Sequence, residues 1–271
     1  MKYSIYSWNV NGIRASAKKG FVDWMLNTKM DILCVQETKA HVEQLDASLV
    51  KPKGYKSYWH SAEKKGYSGV STYVKSTGKN KKIVNSVDTS IGVKKFDNEG
   101  RILITKFDEF TLLNVYFPNG KKNEERLDYK MQFYDRFLQF CQKLRKNGEQ
   151  IVICGDVNTA HTEVDLQNHT NNAKYSGFLP IERAWIDKLI DSGYIDTYRY
   201  LNPEKYVKGV EKLRAYTWWS MRSKTARIEK VGWRLDYFII SEDLLENFKA
   251  AKIHADVEGS DHCPISIDLE F

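Results

Sequence analysis

Cysteine is scarce in this chain. Four occur in 271 residues, Cys34, Cys141, Cys154 and Cys263, with no CxxC pair and no zinc-type spacing. Cys34 and Cys154 fall inside the apolar runs ILCV and IVIC, where a thiol behaves as a small buried hydrophobe. A disulfide scaffold is therefore excluded, and no disulfide partner is expected. Long hydrophobic runs are missing as well: nothing approaches the roughly 20 apolar residues that span a bilayer. The first ten residues, MKYSIYSWNV, alternate polar and apolar side chains and contain no signal-type apolar block. These absences predict a cytoplasmic protein with no membrane partner. Proline (5) and glycine (16) are few, and neither a linker nor a repeat divides the chain, so residues 1–271 are expected to form one domain. Acidic charge is the minority sign, with 35 Asp and Glu against 42 Lys and Arg, a net charge of +7. That excess favours a polyanionic partner and says nothing about fold.

What is present is aromatic and strand-rich, with 7 Trp, 16 Tyr and 12 Phe. Strand-like segments are expected at residues 2–10, 31–36, 69–74, 102–106, 111–117, 150–154, 215–219, 235–241, 250–257 and 264–271. Helical spacing marks 20–28, 123–145 and 181–192; in the second of these Tyr129, Phe133, Tyr134, Phe137, Leu138 and Cys141 form an apolar stripe. Strands outnumber helices and include antiparallel-looking neighbours. The expectation is an α/β protein whose sheets pack on each other with helices outside.

The informative pattern is where polar groups sit. Five apolar strands run straight into acid, amide or histidine clusters: SWNVNG (7–12), VQET (35–38), NVYFPNG (114–120), CGDVN (154–158) and SDHCP (260–264). A sixth, WRLDYF (233–238), carries Asp236 within an apolar strand. Each alone reads as a turn former, but six from segments scattered over the chain suit strand ends converging on one sheet edge. Glu37, Asp156 and Asp261 are hard oxygen donors, and Asn9, Asn11 and Asn158 add amide oxygens, a set that suits Mg²⁺. Asp236 and His262 are expected to pair, the acid fixing the ring tautomer and favouring its cationic form. No GxSxG elbow, Walker-type loop or GxGxxG is present. Metal-assisted hydrolysis of a phosphoester uses most of these residues.

The ordered set WNVNGIRA, VQETK, YFPNG, CGDVNTAH, GWRLDYF and GSDHCP, with KKGYSG, RLDYK and YTWW between, resembles the exonuclease III family of apurinic/apyrimidinic (AP) endonucleases. That family lies within the endonuclease/exonuclease/phosphatase superfamily, and the resemblance spans essentially the whole chain. It implies a single-domain, four-layered αββα sandwich with the active site at one edge of the paired sheets. It also implies incision of DNA 5′ to abasic sites, leaving a 3′-hydroxyl and a 5′-deoxyribose phosphate, with 3′→5′ exonuclease and 3′-end-cleaning activity alongside. By motif, Glu37 resembles the principal Mg²⁺ carboxylate, supported by Asn9 and Asp261 with Asn11 nearby; Mn²⁺ is expected to substitute. Asp156 resembles the residue that orients and deprotonates the attacking water. Asn158 and His262 would donate to non-bridging phosphate oxygens, Asp236 would hold His262, and Tyr116 would meet the phosphate or the leaving 3′ oxygen. Asp156 and Asn158 also suit a metal, so one ion and two both remain open.

For DNA contacts, Arg14, Asn119, Lys121, Lys122 and Lys130 lie beside these motifs, where phosphate contacts are expected. Lys122 stands where the vertebrate enzyme has an arginine that enters the DNA. Asn172 is retained from the family pattern. Trp218, Trp233 and Leu235 match positions lining the family's abasic-sugar pocket, which would admit a flipped sugar without its base. The expected partner is double-stranded DNA with abasic or damaged sites, met by a monomer that is nucleoid-associated in a prokaryote. The alternatives are a same-superfamily phosphodiesterase acting on other phosphoesters and a non-catalytic nucleic-acid-binding module. The Lys75–Lys82 run reads as a solvated loop face.

Overall fold

A computed structural model describes residues 1–203, 215–223 and 225–271. The strands among them are β1 (Lys2–Asn9), β2 (Ile32–Gln36), β3 (Tyr55–His60), β4 (Val70–Lys75), β5 (Ser86–Asp88), β6 (Ile102–Lys106) and β7 (Thr111–Tyr116). They continue as β8 (Ile151–Asp156), β9 (Tyr194–Asp196), β10 (Trp218–Trp219), β11 (Gly232–Trp233), β12 (Asp236–Ser241), β13 (Phe248–Ile253) and β14 (Ile265–Glu270). Two six-stranded mixed sheets result, ordered β13-β14-β1-β2-β4-β3 and β5-β6-β7-β8-β12-β9, with β10 and β11 forming a separate short ribbon.

Period-two alternation explains how wholly apolar strands serve two cores at once. In β2, Ile32 and Cys34 face the second sheet, while Leu33 and Val35 face outward onto the helix Phe21–Asn27 and its neighbours. In β8, Val152 and Cys154 join the inter-sheet core, and Ile151 and Ile153 meet the helices Glu124–Lys146 and Pro180–Asp191. The sandwich is thus four-layered, αββα, as the sequence led one to expect. All four cysteines are free and buried. No helix among the described residues is long and apolar enough to cross a membrane.

Most expected elements are found within one or two residues of their bounds. The strand expected at 150–154 continues to Asp156, and that expected at 235–241 starts on Asp236. Of the strand expected at 215–219, only Trp218–Trp219 pairs. Strand β3 has no clear signal in the sequence, because YKSYWH exposes Lys56 and leaves its other residues half-buried, without clean alternation.

One polar pin crosses the otherwise apolar middle. Gln36 on β2 donates through Nε2 to Asn114 Oδ1 on β7 (2.8 Å) and to Ser7 Oγ on β1 (3.0 Å). Asn114 in turn donates to Ser71 O on β4 (2.8 Å). Fully buried amides of this kind fix register, because a slip would strand unpaired polar groups in the core. The pin lies one residue before Glu37 and two before Tyr116, so it sets the two sheets relative to each other beneath the site.

Candidate active site

Register brings the polar strand ends together. In the second sheet Tyr116 is the parallel partner of Asp156, which is the antiparallel partner of Asp236, so the three stand in a row across β7, β8 and β12. In the first sheet Asn9 pairs with Gln36, placing Asn9 and Glu37 at the matching edge. Gly155 makes this row possible: a Cβ there would lie 1.9 Å from Val115 O on β7. Among the described residues seven non-glycine positions have left-handed backbone, and four of them, Asn11, Glu37, Lys39 and Asn158, belong to this edge. Such conformations cost about 1 kcal/mol or more each and concentrate where a chain holds side chains for chemistry.

Glu37, Asp156 and His262 each offer an atom within 4.8 Å of the others. His262 Nδ1 lies 2.8 Å from Asp236 Oδ2, the expected pair, and its Nε2 is 3.8 Å from Asp156 Oδ2. Burial disfavours the charged ring, but Asp236 and Asp156 outweigh it and lift the His262 pKa to about 10. Burial also raises Asp156, to about 7; His262 opposes the rise, and Asp236 and Glu37 add to it. Glu37 is held below its usual range despite burial, chiefly by Lys39 and then by the Asn9 amide. Tyr116 stays firmly protonated through burial and the nearby Glu37 and Asp156 carboxylates. Its backbone carbonyl accepts from the buried Arg101 (3.0 Å), whose guanidinium lies 5.0 Å from the Tyr116 ring.

Two expected metal ligands are turned otherwise. Asn9 presents its NH₂ to Glu37 Oε1 and Asp156 Oδ2 (2.9 Å each), while its Oδ1 accepts from the Asn11 backbone N–H (3.0 Å). It stands here as a donor to the acids; ligation would require the amide to turn over and release Asn11. Asp261 lies outside the three-residue cluster. Its Oδ1 accepts from Asn11 Nδ2 (3.0 Å) and its Oδ2 from Trp218 Nε1 (3.1 Å). Asn158 donates from its backbone to Asp156 Oδ1 (2.8 Å) and from Nδ2 to Phe117 O (3.0 Å), while its Oδ1 accepts from Asn119 Nδ2 (3.0 Å). Asn119 is thereby a neighbour of the site residues as well as an expected DNA contact.

Lys130 corrects one expectation outright. Rather than reaching a DNA phosphate it is fully buried, with Nζ 2.6 Å from Glu182 Oε1 and donating to Asn158 O and Thr159 Oγ1 (2.8 Å each). A helix position facing the core carried it inward, and its partner lies 52 residues downstream, so local sequence gave no warning. Conversely, Lys39 of VQETK, to which the motifs assign no role, enters the site. Its Nζ sits 2.7 Å from Glu37 Oε2 and 2.5 Å from Asn11 Oδ1, inside the site. Its place two residues after the metal-type acid was the only available signal.

The aromatic residues form a wall beside this cluster. Trp218 and Trp233 are register partners of β10 and β11, with rings 6.3 Å apart at 85°. Both pack on a small buried cluster of Ala160, Leu166, Phe178 and Leu235, so Leu235 supports the wall from within. Lys121 Nζ lies 5.2 Å from each indole centroid. A cavity of about 420 Å³ opens alongside, lined in part by Lys121, Asn172, Tyr175 and Trp233. Trp218 ties wall to site through Asp261 and through a backbone bridge to His262. Arg14 and Lys122 are exposed.

Residues 6–262 match the model of the Endonuclease/Exonuclease/phosphatase family. The chain belongs to that family. It is accordingly a phosphodiester hydrolase. Over 268 residues it is 38% identical to a Bacillus subtilis protein named exodeoxyribonuclease, covering 98% of this chain and 99% of that one. It is 39% identical over 267 residues to the DNA repair nuclease APEX1 of Danio rerio, covering 98% of this chain and 81% of the relative. Among solved structures it resembles an AP endonuclease from Archaeoglobus fulgidus, with a TM-score of 0.86, 26% identity, and 99% and 100% of the two chains covered. The family's nucleases are metal-dependent, and among the described residues Glu37, Asp156 and His262 form a group with the spacing to hold a metal ion.

Proposed function

We propose that this member of the family is a DNA-repair nuclease that incises duplex DNA 5′ to abasic sites, leaving a 3′-hydroxyl and a 5′-deoxyribose phosphate. A 3′→5′ exonuclease and 3′-end-cleaning activity belongs to the same reading, as do a monomeric state and a cytoplasmic location. The observation that carries it is the convergence of Glu37, Asp156 and His262 within 4.8 Å at the seam of the two sheets, beside the tryptophan wall. Relatives named as AP endonucleases and DNA repair nucleases support the choice of DNA over other phosphoesters.

The donor chemistry fits a hard divalent cation. Glu37 and Asp156 supply carboxylate oxygens, whereas a His262 held cationic by two acids keeps both ring nitrogens protonated and so donates hydrogen bonds instead of ligating. Mg²⁺ held by Glu37, with Asp156 or a turned Asn9 in support, would neutralise charge developing on the phosphate. The side chains do the rest. Asp156 accepts the proton of the attacking water as the new P–O bond forms and the P–O3′ bond breaks. Asp236 holds His262 with Nε2 directed toward the same space, where its N–H meets a non-bridging oxygen and stabilises charge as it builds. Asn158 aids there once its amide is released from Phe117. Tyr116, fully protonated, gives the departing O3′ its proton. Trp218 and Trp233, supported by Leu235, would border a flipped sugar and exclude an attached base. Arg14, Asn119, Lys121, Lys122 and Asn172 would bear on the DNA backbone around the site.

The test is a panel of end-labelled duplexes, each with one lesion or none, incubated with Mg²⁺ and with EDTA. Incision only at the abasic analogue, abolished by EDTA and by Glu37→Gln, is the expected result. Equal cleavage with EDTA present would remove the metal from this reading. Absence of any incision, with phospholipid or inositol phosphate turnover instead, would replace the substrate.

A further inference from the structure

The catalytic residues collect at one end of the first sheet, where β1 finishes at Asn9 and β2 runs into Glu37. The other end is built quite differently. There the start of β1, the turn before β2 and the end of β4 enclose a concavity of about 530 Å³. Lys2, Lys29, Lys75, Lys79, Lys81 and Lys82 line it, with Asp31 the acid among its lining residues. At about 3.3 Å per residue, the length of β1 places this concavity some 23 Å from the catalytic end.

The charge there is not internally neutralised. Asp31 lies 3.9 Å from Lys75 and 3.8 Å from Lys82, and it also accepts from the Ser4 backbone N–H (3.0 Å). Lys82 is a buried, fixed post: its ammonium donates to Lys2 O and sits 4.1 Å from the Tyr3 ring centroid. Lys2 is shared with Asp268 and Glu270 at 3.8 and 3.7 Å. Lys29, Lys79 and Lys81 are exposed at the rim and have no acidic partner among the described residues. Three ammonium groups at the rim are thus free to meet an anion, while Lys2, Lys75 and Lys82 are held by Asp31, Asp268 and Glu270.

We propose that this concavity is a second nucleic-acid site, which receives the phosphodiester backbone of a DNA segment other than the one being cut. The chemistry favours a backbone over base readout. All the cationic side chains of the lining are lysines, compact point charges that meet phosphate without the planar fork needed for bidentate recognition. Asn80 is the one neutral amide in the lining, so sequence discrimination has little to work with. A hollow also suits a projecting backbone better than a flat bilayer does. A straight duplex seated at the catalytic edge does not turn back to the opposite pole, so the second segment is distant DNA or another molecule. Two-point contact of this kind would keep the enzyme on DNA between incisions.

The experiment compares the full chain with Lys79→Glu/Lys81→Glu and with Lys143→Glu/Lys146→Glu, an equal charge change on exposed positions of the outer helix layer. Affinity for an undamaged 40-base-pair duplex is measured from about 50 to 200 mM salt, with thermal melting as the check on folding. Loss of two phosphate contacts should lower the log–log salt slope by about 2 in the first variant and weaken binding roughly tenfold at the low-salt end. The control should keep the wild-type slope. Single-turnover incision of a 12-base-pair abasic duplex should stay within twofold in both variants. Unchanged slope in the first variant, or the same fall in both, would overturn the proposal. So would loss of inorganic tripolyphosphate binding with the DNA slope intact, which would make the hollow a site for free polyphosphate. The binding arm uses uncut DNA, so its outcome stands apart from whether abasic incision is the true activity.

Discussion

Asp156 and Asp236 face each other as register partners across β8 and β12, and His262 stands between them, 2.8 Å from Asp236 and 3.8 Å from Asp156. Two buried acids bracketing one imidazole is a division of labour. One carboxylate is bonded to the ring, and the other is left near the range where it can exchange a proton.

Asp236→Asn tests that division. The amide keeps the shape but loses the charge that holds the ring cationic, so activity should fall about 100–1,000-fold, the usual cost of losing one donor to the developing phosphate charge. Single-turnover incision at saturating DNA should show a loss in rate with binding unchanged. A loss confined to binding would mean that Asp236 serves only to shape the DNA face.

Lys39→Met tests the cation already at Glu37. Its ammonium lies 2.7 Å from Glu37 Oε2 and competes electrostatically with any divalent ion there. Removing it should lower the Mg²⁺ concentration for half-maximal activity several-fold. A rise in that concentration would instead show that Lys39 organises Asn11 and Glu37 for the ion.

Lys130→Met addresses the buried pair with Glu182. Breaking one partner of a buried ion pair typically costs about 3–5 kcal/mol, and this one also holds the Asn158 and Thr159 segment. Urea unfolding should show a loss of that order. The salt slope of DNA binding should stay that of the parent chain, because the ammonium never meets solvent.

Acid sensitivity should centre on Asp165. This fully buried carboxylate lies 2.7 Å from Arg234 and 2.5 Å from Arg199. Burial alone would raise its pKa, but Arg234 and then Arg199 hold it well below the ordinary carboxylate value. A depressed folded-state pKa contributes stability that is present above about pH 4 and drains away as pH falls toward the folded value. Asp165→Asn should therefore be markedly less stable than the parent at pH 7, and the gap should narrow at pH 3. Urea midpoints at the two values decide it; a gap that widens in acid would contradict this account.

What the sequence by itself determined was the chemistry and the layering. Apolar strands that end in acids, amides and histidine must put those groups at a sheet edge, because a charged group inside the apolar run would be buried without a partner. The motifs therefore pointed to Glu37, Asp156, Asp236 and His262, which the fold brings together. The tertiary structure decided where side chains point and which charges cancel. Lys130 and Lys122 are both lysines beside a motif, yet the core-facing side of the helix Glu124–Lys146 buried the first against Glu182, while the second stands exposed in the loop before that helix. The orientation of the Asn9 amide depends on the Asn11 backbone, and Asp261 on an indole 43 residues away. The Gln36–Asn114 pin and the lysine hollow at the far pole likewise join residues far apart in the chain. A local window of sequence fixes residue type and periodicity. Desolvation and pairing are set by neighbours that only folding supplies.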